Sequence, residues 1–279
     1  MTILGNYNRL PIIREATPGL YLDGGELGEI LLPRRYTSSE QLPGEHLNVF
    51  VYRDSEDRLV ATTETPKASV GEFAALTVTA VHERIGVFLD WGLAKDLLLP
   101  KREQSTYLRV GDCVVVRVIV DEKSHRIIAT TYLNPFLNKE PATYPKNAAV
   151  SLLIAERSEM GYKAIVEKSH WGLLYQDNLS DDVRIGETRT GYIQRIRDDG
   201  KIDLTLSQPG FGRTAPLGEQ IVKMLQSAGG FLPFHDKSSP ESIQEQFGTS
   251  KKAFKQTVGV LLKKRRIAIE PNGIRLVGK

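Results

Sequence analysis

Three segments of this chain share one spacing of glycines and apolar strands, and this internal repeat constrains the fold most. Gly19, Gly86 and Gly161 begin the segments; in each, an apolar run closes 14 residues later and a second glycine follows after another 11. A run typical of a β-strand ends each segment 17 or 18 residues beyond that second glycine. We therefore expect one small β-unit to occur three times.

Composition indicates an ordinary globular protein, with 41% hydrophobic and 25% charged residues in 279. No apolar run approaches the roughly 18 residues of a membrane helix, and the N-terminal residues lack the basic and apolar segments of a leader. The single cysteine, Cys113, cannot form an internal disulfide; its strand-like surroundings, CVVVRVIV, predict that it packs in a core. We expect a cytoplasmic protein without membrane contact.

Charge is distributed unevenly along the chain. The repeat spacing predicts domains at residues 1–66, 67–142 and 143–210, with net charges of −4, +1 and −1, and a fourth at 211–279 with +7. An anionic partner would first be attracted to the last segment.

The second repeat shows the β-unit most clearly. FAALTVTAVHERI alternates, GVFLDW begins at a glycine, KDLLLP is a short apolar strand, and DCVVVRVIVDEKSHRIIATT predicts a hairpin that turns near residues 122–125. Five such strands, with a short connector after the third, are typical of the OB-fold, a small Greek-key barrel.

The same motifs resemble the S1 domain, the RNA-binding OB-fold of ribosomal proteins. The resemblance covers residues 1–210 and implies a binding face with an aromatic residue on strand 2, a histidine or aromatic residue on strand 3, and an acidic and a basic residue at the last hairpin. No repeat carries the full set. The corresponding positions are Tyr21, Phe88 and Lys163 on strand 2, Pro33, Pro100 and Tyr175 on strand 3, and the hairpin pairs Asp54 and Arg58, Asp121 and Arg126, and Asp198 and Lys201.

Aromatic rings beside cations have a clear chemistry toward nucleic acid. A base stacks on an exposed ring for about 1–3 kcal/mol, and a nearby cation offsets phosphate charge. Phe88 with Arg126, and Tyr175 with Lys201, are therefore candidate nucleotide sites, to which Lys101 and Lys163 are added. Alternatively, the rings pack and the hairpin cations are solvated.

Two other features of the repeats bear on this face. Trp91 and Trp171 follow strand 2 and could stack a base, but we favour packing, which is the commoner role of tryptophan. The first repeat is acidic and keeps only Tyr21 and Arg58 of the pattern, so we expect it to add little affinity. We also expect residues 67–279 to fold and bind without it.

Beyond residue 215 the apolar period changes to that of helices. PLGEQIVKMLQSAG, SPESIQEQFG with Ser239 as its cap, and TSKKAFKQTVGVLLKKRR predict three helices, and IAIEPNGIRLVGK predicts a hairpin. Three helices followed by a β-wing are typical of a winged helix.

The third helix has a predicted core face and a basic face. Phe254, Val258 and Leu261 recur at helical spacing and would be buried, which places lysines on the opposite side. Lysines in a last helical turn also complement the helix dipole, and winged helices serve protein contacts too. The candidate phosphate contacts here are Lys252, Lys255, Lys263 and, on the wing, Arg275.

The expected fold class is therefore mostly β with a C-terminal α+β unit: three tandem S1-like OB-fold barrels followed by a winged helix. As a whole, this organisation resembles the conserved virulence factor B (YitL-type) family of bacterial RNA-binding regulators. The resemblance implies a post-transcriptional role.

Nothing in the sequence indicates an enzyme. The five histidines lack metal-ligand spacing, and no phosphate-cradling glycine loop occurs. We expect no cofactor, no metal and no small-molecule substrate. Two interpretations stay open: a protein that binds RNA or single-stranded DNA, and an adaptor whose barrels and winged helix hold other proteins.

Overall fold

The computed structural model describes most of the chain and divides it into two compact units, Met1–Leu204 and Thr205–Lys279. The described residues are 1–38, 41–179, 182–207, 214–235 and 237–277. Within the described residues, no helix has the length and apolar character needed to cross a membrane.

The first repeat forms a closed five-stranded barrel in the order β1-β2-β3-β5-β4. Its third and fifth strands close the barrel through a parallel pairing at Leu31 and Val60. The strands are β1 (Tyr7–Ala16), β2 (Gly19–Asp23), β3 (Glu29–Pro33), β4 (His46–Arg53) and β5 (Leu59–Thr62).

The second repeat forms a five-stranded sheet in the order β10-β9-β6-β7-β8, and its two end strands lie next to each other. It is thus nearly closed, as the OB-fold prediction allows. The strands are β6 (Phe73–His82), β7 (Gly86–Leu89), β8 (Leu97–Pro100), β9 (Cys113–Val120) and β10 (Ile127–Thr130).

The third repeat is again a closed barrel, in the order β11-β12-β13-β15-β14. The three units are called barrels 1, 2 and 3 from here on. The strands of barrel 3 are β11 (Ala149–Ser158), β12 (Gly161–Val166), β13 (His170–Tyr175), β14 (Thr188–Ile196) and β15 (Ile202–Thr205).

The first glycine of each repeat is required for the same structural reason. Gly19, Gly86 and Gly161 begin the second strand of their barrels with φ between 141° and 150°. A Cβ atom at any of them would lie 2.0–2.2 Å from a carbonyl oxygen of the next strand. The spacing of 14 residues is the register of this hairpin, since Gly19 pairs with Pro33 and the other two glycines pair in the same way.

Barrels 1 and 2 share buried apolar residues. Trp91 is 3% exposed, and its ring packs edge-on against Phe50 of barrel 1 with centroids 5.6 Å apart. The indole Nε1 donates a hydrogen bond of 2.7 Å to the Ala68 carbonyl. Packing is therefore the role of Trp91, as the sequence analysis favoured. Removal of residues 1–66 would expose this surface, so the expectation that residues 67–279 fold without barrel 1 loses its basis.

The C-terminal unit has the order of elements expected of a winged helix. Ser239 and Ser250 cap the second and third helices, and Gly248 ends the second helix in the left-handed conformation at φ 64°. The elements are α1 (Thr214–Ser227), β16 (Phe231–Leu232), α2 (Pro240–Phe247), α3 (Lys251–Lys263), β17 (Ile267–Glu270) and β18 (Gly273–Leu276). The short strand β16 was not predicted from the sequence; it pairs with β18.

The predicted core face of α3 is confirmed. Phe254, Val258 and Leu261 are between 0% and 6% exposed and pack in one cluster with residues of α1 and α2. The wing turns between Glu270 and Gly273, which pair across its two strands.

Candidate nucleic-acid interface

The strand-2 aromatic residue of barrel 2 points outward. Val87 and Leu89 on either side of Phe88 are buried, whereas Phe88 is half-buried, because successive side chains of a strand face opposite sides. Phe88 lines a cleft of about 460 Å³ that Arg126 also lines. The structure thus brings this predicted pair to one place.

The hairpin between β4 and β5 of barrel 1 reaches the same cleft. Arg126 Nε lies 3.2 Å from Asp57 Oδ1, and Lys95 Nζ donates to the carbonyl oxygens of Arg53 and Asp54 at 3.0 and 2.7 Å. Burial lowers the pKa of Lys95 below its ordinary value. Two cations of barrel 2 therefore hold the hairpin of barrel 1 in place.

Lys101 lies near this cleft. It follows β8 directly, and its backbone N–H donates to the carbonyl of Ile85, a residue that lines the cleft. The Lys101 side chain is exposed and forms no ion pair with the residues that the structure describes.

In barrel 3 the strand-3 tyrosine belongs to a hydrogen-bonded cluster around a buried carboxylate. The Tyr175 hydroxyl donates to Asp203 Oδ1 at 3.1 Å, Arg195 Nε donates to Asp203 Oδ2 at 2.6 Å, and Arg197 Nε donates to Asp203 Oδ1 at 2.9 Å. Arg195, Arg197 and Asp203 were not among the site residues predicted from the sequence. The signal that would have found them is the alternate spacing of the two arginines, Arg195 on β14 and Arg197 directly after it, together with an acidic residue on β15.

Asp203 is charged in spite of its burial. Its side chain is only 4% exposed, and this burial by itself would raise the carboxyl pKa. Hydrogen bonds from Arg197, Arg195 and Tyr175 outweigh burial and hold the pKa below its ordinary value. The guanidinium of Arg195, with 66% of its side chain exposed, is thereby fixed at the surface.

Lys201 does not join Tyr175. It lies at the tip of the last hairpin, where its ammonium pairs with Asp199 at 3.0 Å and its side chain is 72% exposed. The cation beside the Tyr175 ring is Arg197, at 6.0 Å from the ring centroid. The structure therefore gives the Tyr175 ring a cation other than the one predicted from the sequence.

Lys163 lies between a carboxylate and an indole ring. Its ammonium pairs with Glu156 and lies 5.9 Å from the ring centroid of Trp171. Trp171 is half-buried and donates from Nε1 to Asn134 Oδ1 at 2.8 Å. Lys163 and Trp171 both line a second cleft, of about 640 Å³, between barrels 2 and 3.

The matching positions of barrel 1 are occupied by contacts within the barrel. The Arg14 guanidinium covers the Tyr21 ring at 3.8 Å and pairs with Glu29 at 2.7 Å. Arg58 pairs with Asp54 at 2.7 Å. Tyr21 and Arg58, the two residues of the pattern that barrel 1 keeps, are thus both engaged by other residues of the same barrel.

Cys113 does not lie in a barrel core, contrary to the sequence interpretation. It begins β9 on the exposed side and faces barrel 3, where a Cβ on Gly186 would lie 2.5 Å from its Sγ. Burial raises the pKa of the Cys113 thiol. The alternation of β9 places Val116 and Val118 inward instead.

The winged helix presents the predicted lysines of α3 to solvent. Lys252, Lys255 and Lys263 are exposed, and none pairs with an acidic residue in the described part of the chain. Arg275 differs, since it donates to Glu270 across the wing at 3.2 Å and lies 5.1 Å from the Phe231 ring. This pair lowers the pKa of Glu270. Across the described ranges, no three His, Cys, Asp or Glu residues group as metal ligands.

Comparison with known proteins places two domain families in the chain. Residues 4–64 match the S1 domain family, and residues 219–276 match the CvfB-like winged helix domain family. Uncharacterized protein YitL of Bacillus subtilis is 27% identical over 278 residues, which cover 94% of this chain and 90% of that protein. Conserved virulence factor B of Staphylococcus aureus is 26% identical over 243 residues, which cover 85% and 81%.

These matches confirm the resemblance to the conserved virulence factor B family and the expected fold class. A crystal structure of a multidomain protein with nucleic acid binding domains from Streptococcus pneumoniae is 25% identical and aligns over 98% of both chains with a TM-score of 0.46.

Proposed function

From the resemblance to the conserved virulence factor B family, we propose that this protein binds RNA, catalyses no reaction, and acts in the bacterial cytoplasm as a post-transcriptional regulator. Barrels 2 and 3 and the basic helix α3 supply the contacts. S1 barrels and winged helices are nucleic-acid-binding folds, and both family models match this chain.

The observation that carries the proposal is the outward ring of Phe88 beside Arg126 in one cleft. A ring on the face of an OB-fold stacks an unpaired base, and a cation next to it neutralises the adjoining phosphate. Stacking needs a base that is free of its duplex partner, so the expected ligand is single-stranded or looped. In barrel 3, Tyr175 and Arg195 offer the same two groups, with Asp203 holding both side chains.

The lysines of α3 supply a sequence-independent contribution. They are exposed and unpaired among the described residues, so they are available to phosphates without loss of an internal ion pair. Each phosphate contact with single-stranded nucleic acid makes the fall of log affinity with log salt steeper by about 0.7.

A salt titration tests the proposal. The full chain is titrated against a fluorescent, mixed-sequence, single-stranded RNA at several salt concentrations, with single-stranded DNA of the same sequence as competitor. We expect log affinity to fall linearly with log salt. Absence of RNA binding at low salt would contradict the proposal, and equal competition by DNA would widen the ligand to single strands of either kind.

The adaptor function is a second candidate because barrel 1 is acidic and three of its arginines, Arg14, Arg34 and Arg58, are paired within the barrel. The adaptor function would be supported if this protein bound no RNA and still retained specific protein partners after nuclease treatment.

A further inference from the structure

Barrels 1 and 2 jointly line the cleft that contains Phe88. Tyr52, Arg53 and Ser55 of barrel 1 form one side, and Phe88, Lys95 and Arg126 of barrel 2 form the other. A volume of about 460 Å³ lies within the range of pockets that hold small ligands. The isolated barrel 2 would lack the side of this site that carries Arg53.

Arg53 has hydrogen-bonding capacity that the protein does not use. Its NH1 group donates to the Asp57 carbonyl at 2.7 Å, but its Nε is buried without a hydrogen-bond acceptor in the part of the chain that the structure describes. The buried Nε is closed to a ligand as well, but a guanidinium has five N–H donors, and Arg53 lines the cleft with a single donor bonded to the described residues, so donors are left for an acceptor that is supplied from outside. A planar guanidinium matches the oxygens of a phosphate.

The charges around the cleft suit an anion. Arg53, Lys95 and Arg126 line it together with one acidic residue, Asp96, which accepts a hydrogen bond from Thr79 at 2.8 Å. Asp57 pairs with Arg126, but both side chains are about half exposed, so a phosphate can replace this carboxylate at little cost.

The two walls are held in a fixed arrangement. The packing of Trp91 against Phe50 and the hydrogen bonds of Lys95 to the hairpin of barrel 1 join the barrels at two residues that line the cleft. A site whose walls are already in place loses less entropy when a ligand binds.

We propose that barrels 1 and 2 together form one nucleotide-binding cleft, in which a base stacks on Phe88 and Arg53 of barrel 1 binds the adjoining phosphate of a single-stranded RNA. This inference rests on the proposed RNA binding and adds barrel 1 as a contributor. It predicts that barrel 1 matters to affinity, contrary to the expectation from net charge alone.

A double-mutant cycle tests it. The full chain and its variants Arg53→Gln, Phe88→Ala and Arg53→Gln/Phe88→Ala are titrated with a mixed-sequence, single-stranded RNA. Arg53→Gln should weaken binding by about tenfold, as loss of a charge-assisted hydrogen bond does. Phe88→Ala should reduce RNA affinity by a clearly smaller factor in the Arg53→Gln background than in the wild type, because contacts to one nucleotide are coupled. Arg9→Gln, an exposed charge change on β1 of barrel 1, is the matched control and should leave affinity unchanged.

Ser55→Glu provides a test that leaves the packed residues intact. Ser55 is exposed on the barrel 1 side of the cleft, so a carboxylate there should repel phosphate and weaken binding severalfold while the thermal unfolding midpoint stays the same. If the wild type binds RNA and Phe88→Ala weakens it, but Arg53→Gln and Ser55→Glu do not, the composite cleft is refuted and RNA binding stands. If the wild type binds no RNA, the proposed function itself fails.

Discussion

Arg126 Nε of barrel 2 lies 3.2 Å from Asp57 Oδ1 of barrel 1, so the cation expected to meet a phosphate already has a carboxylate partner from another barrel. The two residues are 69 positions apart in the sequence. Barrel 1 thereby affects the face of barrel 2, either by occupying its cation or by completing its cleft.

Asp57→Asn separates these two effects. Asparagine tolerates the left-handed conformation of this residue, φ 68°, so the hairpin should keep its shape and its carbonyl contact with Arg53. The substitution releases Arg126, and we expect RNA affinity to rise about two- to fivefold, the range of an exposed ion pair. Fluorescence anisotropy measures the change. Arg126→Gln, which removes the cation, should lower RNA affinity instead. Equal or weaker binding of Asp57→Asn would show that the pair does not compete with RNA.

Replacing the three α3 lysines, Lys252, Lys255 and Lys263, by glutamine should flatten the salt dependence of RNA binding by about two units, because three phosphate contacts are lost. The matched control changes Arg9, Lys139 and Lys146 to glutamine, which removes the same charge from exposed sites outside the winged helix. Its slope should change little. An equal effect of both triple variants would assign the slope to net charge instead of to α3.

Phe88→Ala should weaken RNA binding by about 1–3 kcal/mol, since one stacked base loses its support. The ring is only half-buried, so the thermal unfolding midpoint should change little. Tyr107→Ala is the control, because Tyr107 is 81% exposed in the connector between β8 and β9 and does not line the cleft that contains Phe88. A large loss of thermal stability with unchanged binding would identify Phe88 as a packing residue.

Asp203→Asn should destabilise barrel 3 by about 3 kcal/mol, because it leaves Arg195 and Arg197 without their buried anion. The folded-state pKa of Asp203 is lowered, so its stabilisation is present above the ordinary carboxyl pKa of about 4 and is lost as the pH falls through the folded-state value. Urea unfolding from pH 7 down to pH 2 should therefore show a smaller acid loss in Asp203→Asn. Asp199→Asn, at an exposed pair, should behave as the wild type. Parallel pH curves for Asp203→Asn and wild type would contradict the assignment.

The turn glycines of the three barrels offer a test of the contact between barrels 2 and 3. Gly44, Gly111 and Gly186 share φ values of 86–91°. Alanine at each should cost about 1 kcal/mol of backbone strain. At Gly186 the new Cβ would also lie 2.5 Å from Cys113 Sγ and 2.8 Å from Ala75 Cβ, whereas at Gly44 and Gly111 it would meet no described atom within 4 Å.

Gly186→Ala should therefore lower the thermal unfolding midpoint clearly more than Gly44→Ala or Gly111→Ala. Equal shifts for the three variants would mean that barrel 3 is not closely packed against barrel 2 at this turn.

Features set by local chemistry were predictable from the sequence. Gly19 and its two counterparts need a conformation and a close approach that only glycine permits. The spacing of these glycines in the sequence therefore reflects the register of the hairpin. The caps and the buried face of α3 likewise depend on neighbouring residues. The two-residue strand β16 was too short to produce a pattern.

Contacts between barrels were not predictable, because the residues that neighbour them in the sequence show no pattern that indicates them. Cys113 has strand-like neighbours but faces barrel 3, and Arg126 meets a carboxylate from barrel 1. Within barrel 3, Lys201 was predicted as the cation beside Tyr175, whereas the cation at that ring is Arg197, which donates to Asp203 together with Arg195.

Photo-crosslinking tests the central claim most directly. The full chain is bound to a single-stranded RNA that carries 4-thiouridine at every uridine, irradiated, digested and analysed by mass spectrometry. We expect cross-linked peptides that contain Phe88, Tyr175 or the α3 lysines, and a cross-link at or next to Arg53 if the cleft is composite. Cross-links confined to surfaces away from all of these residues, or none under conditions in which a known S1 protein cross-links, would contradict the account.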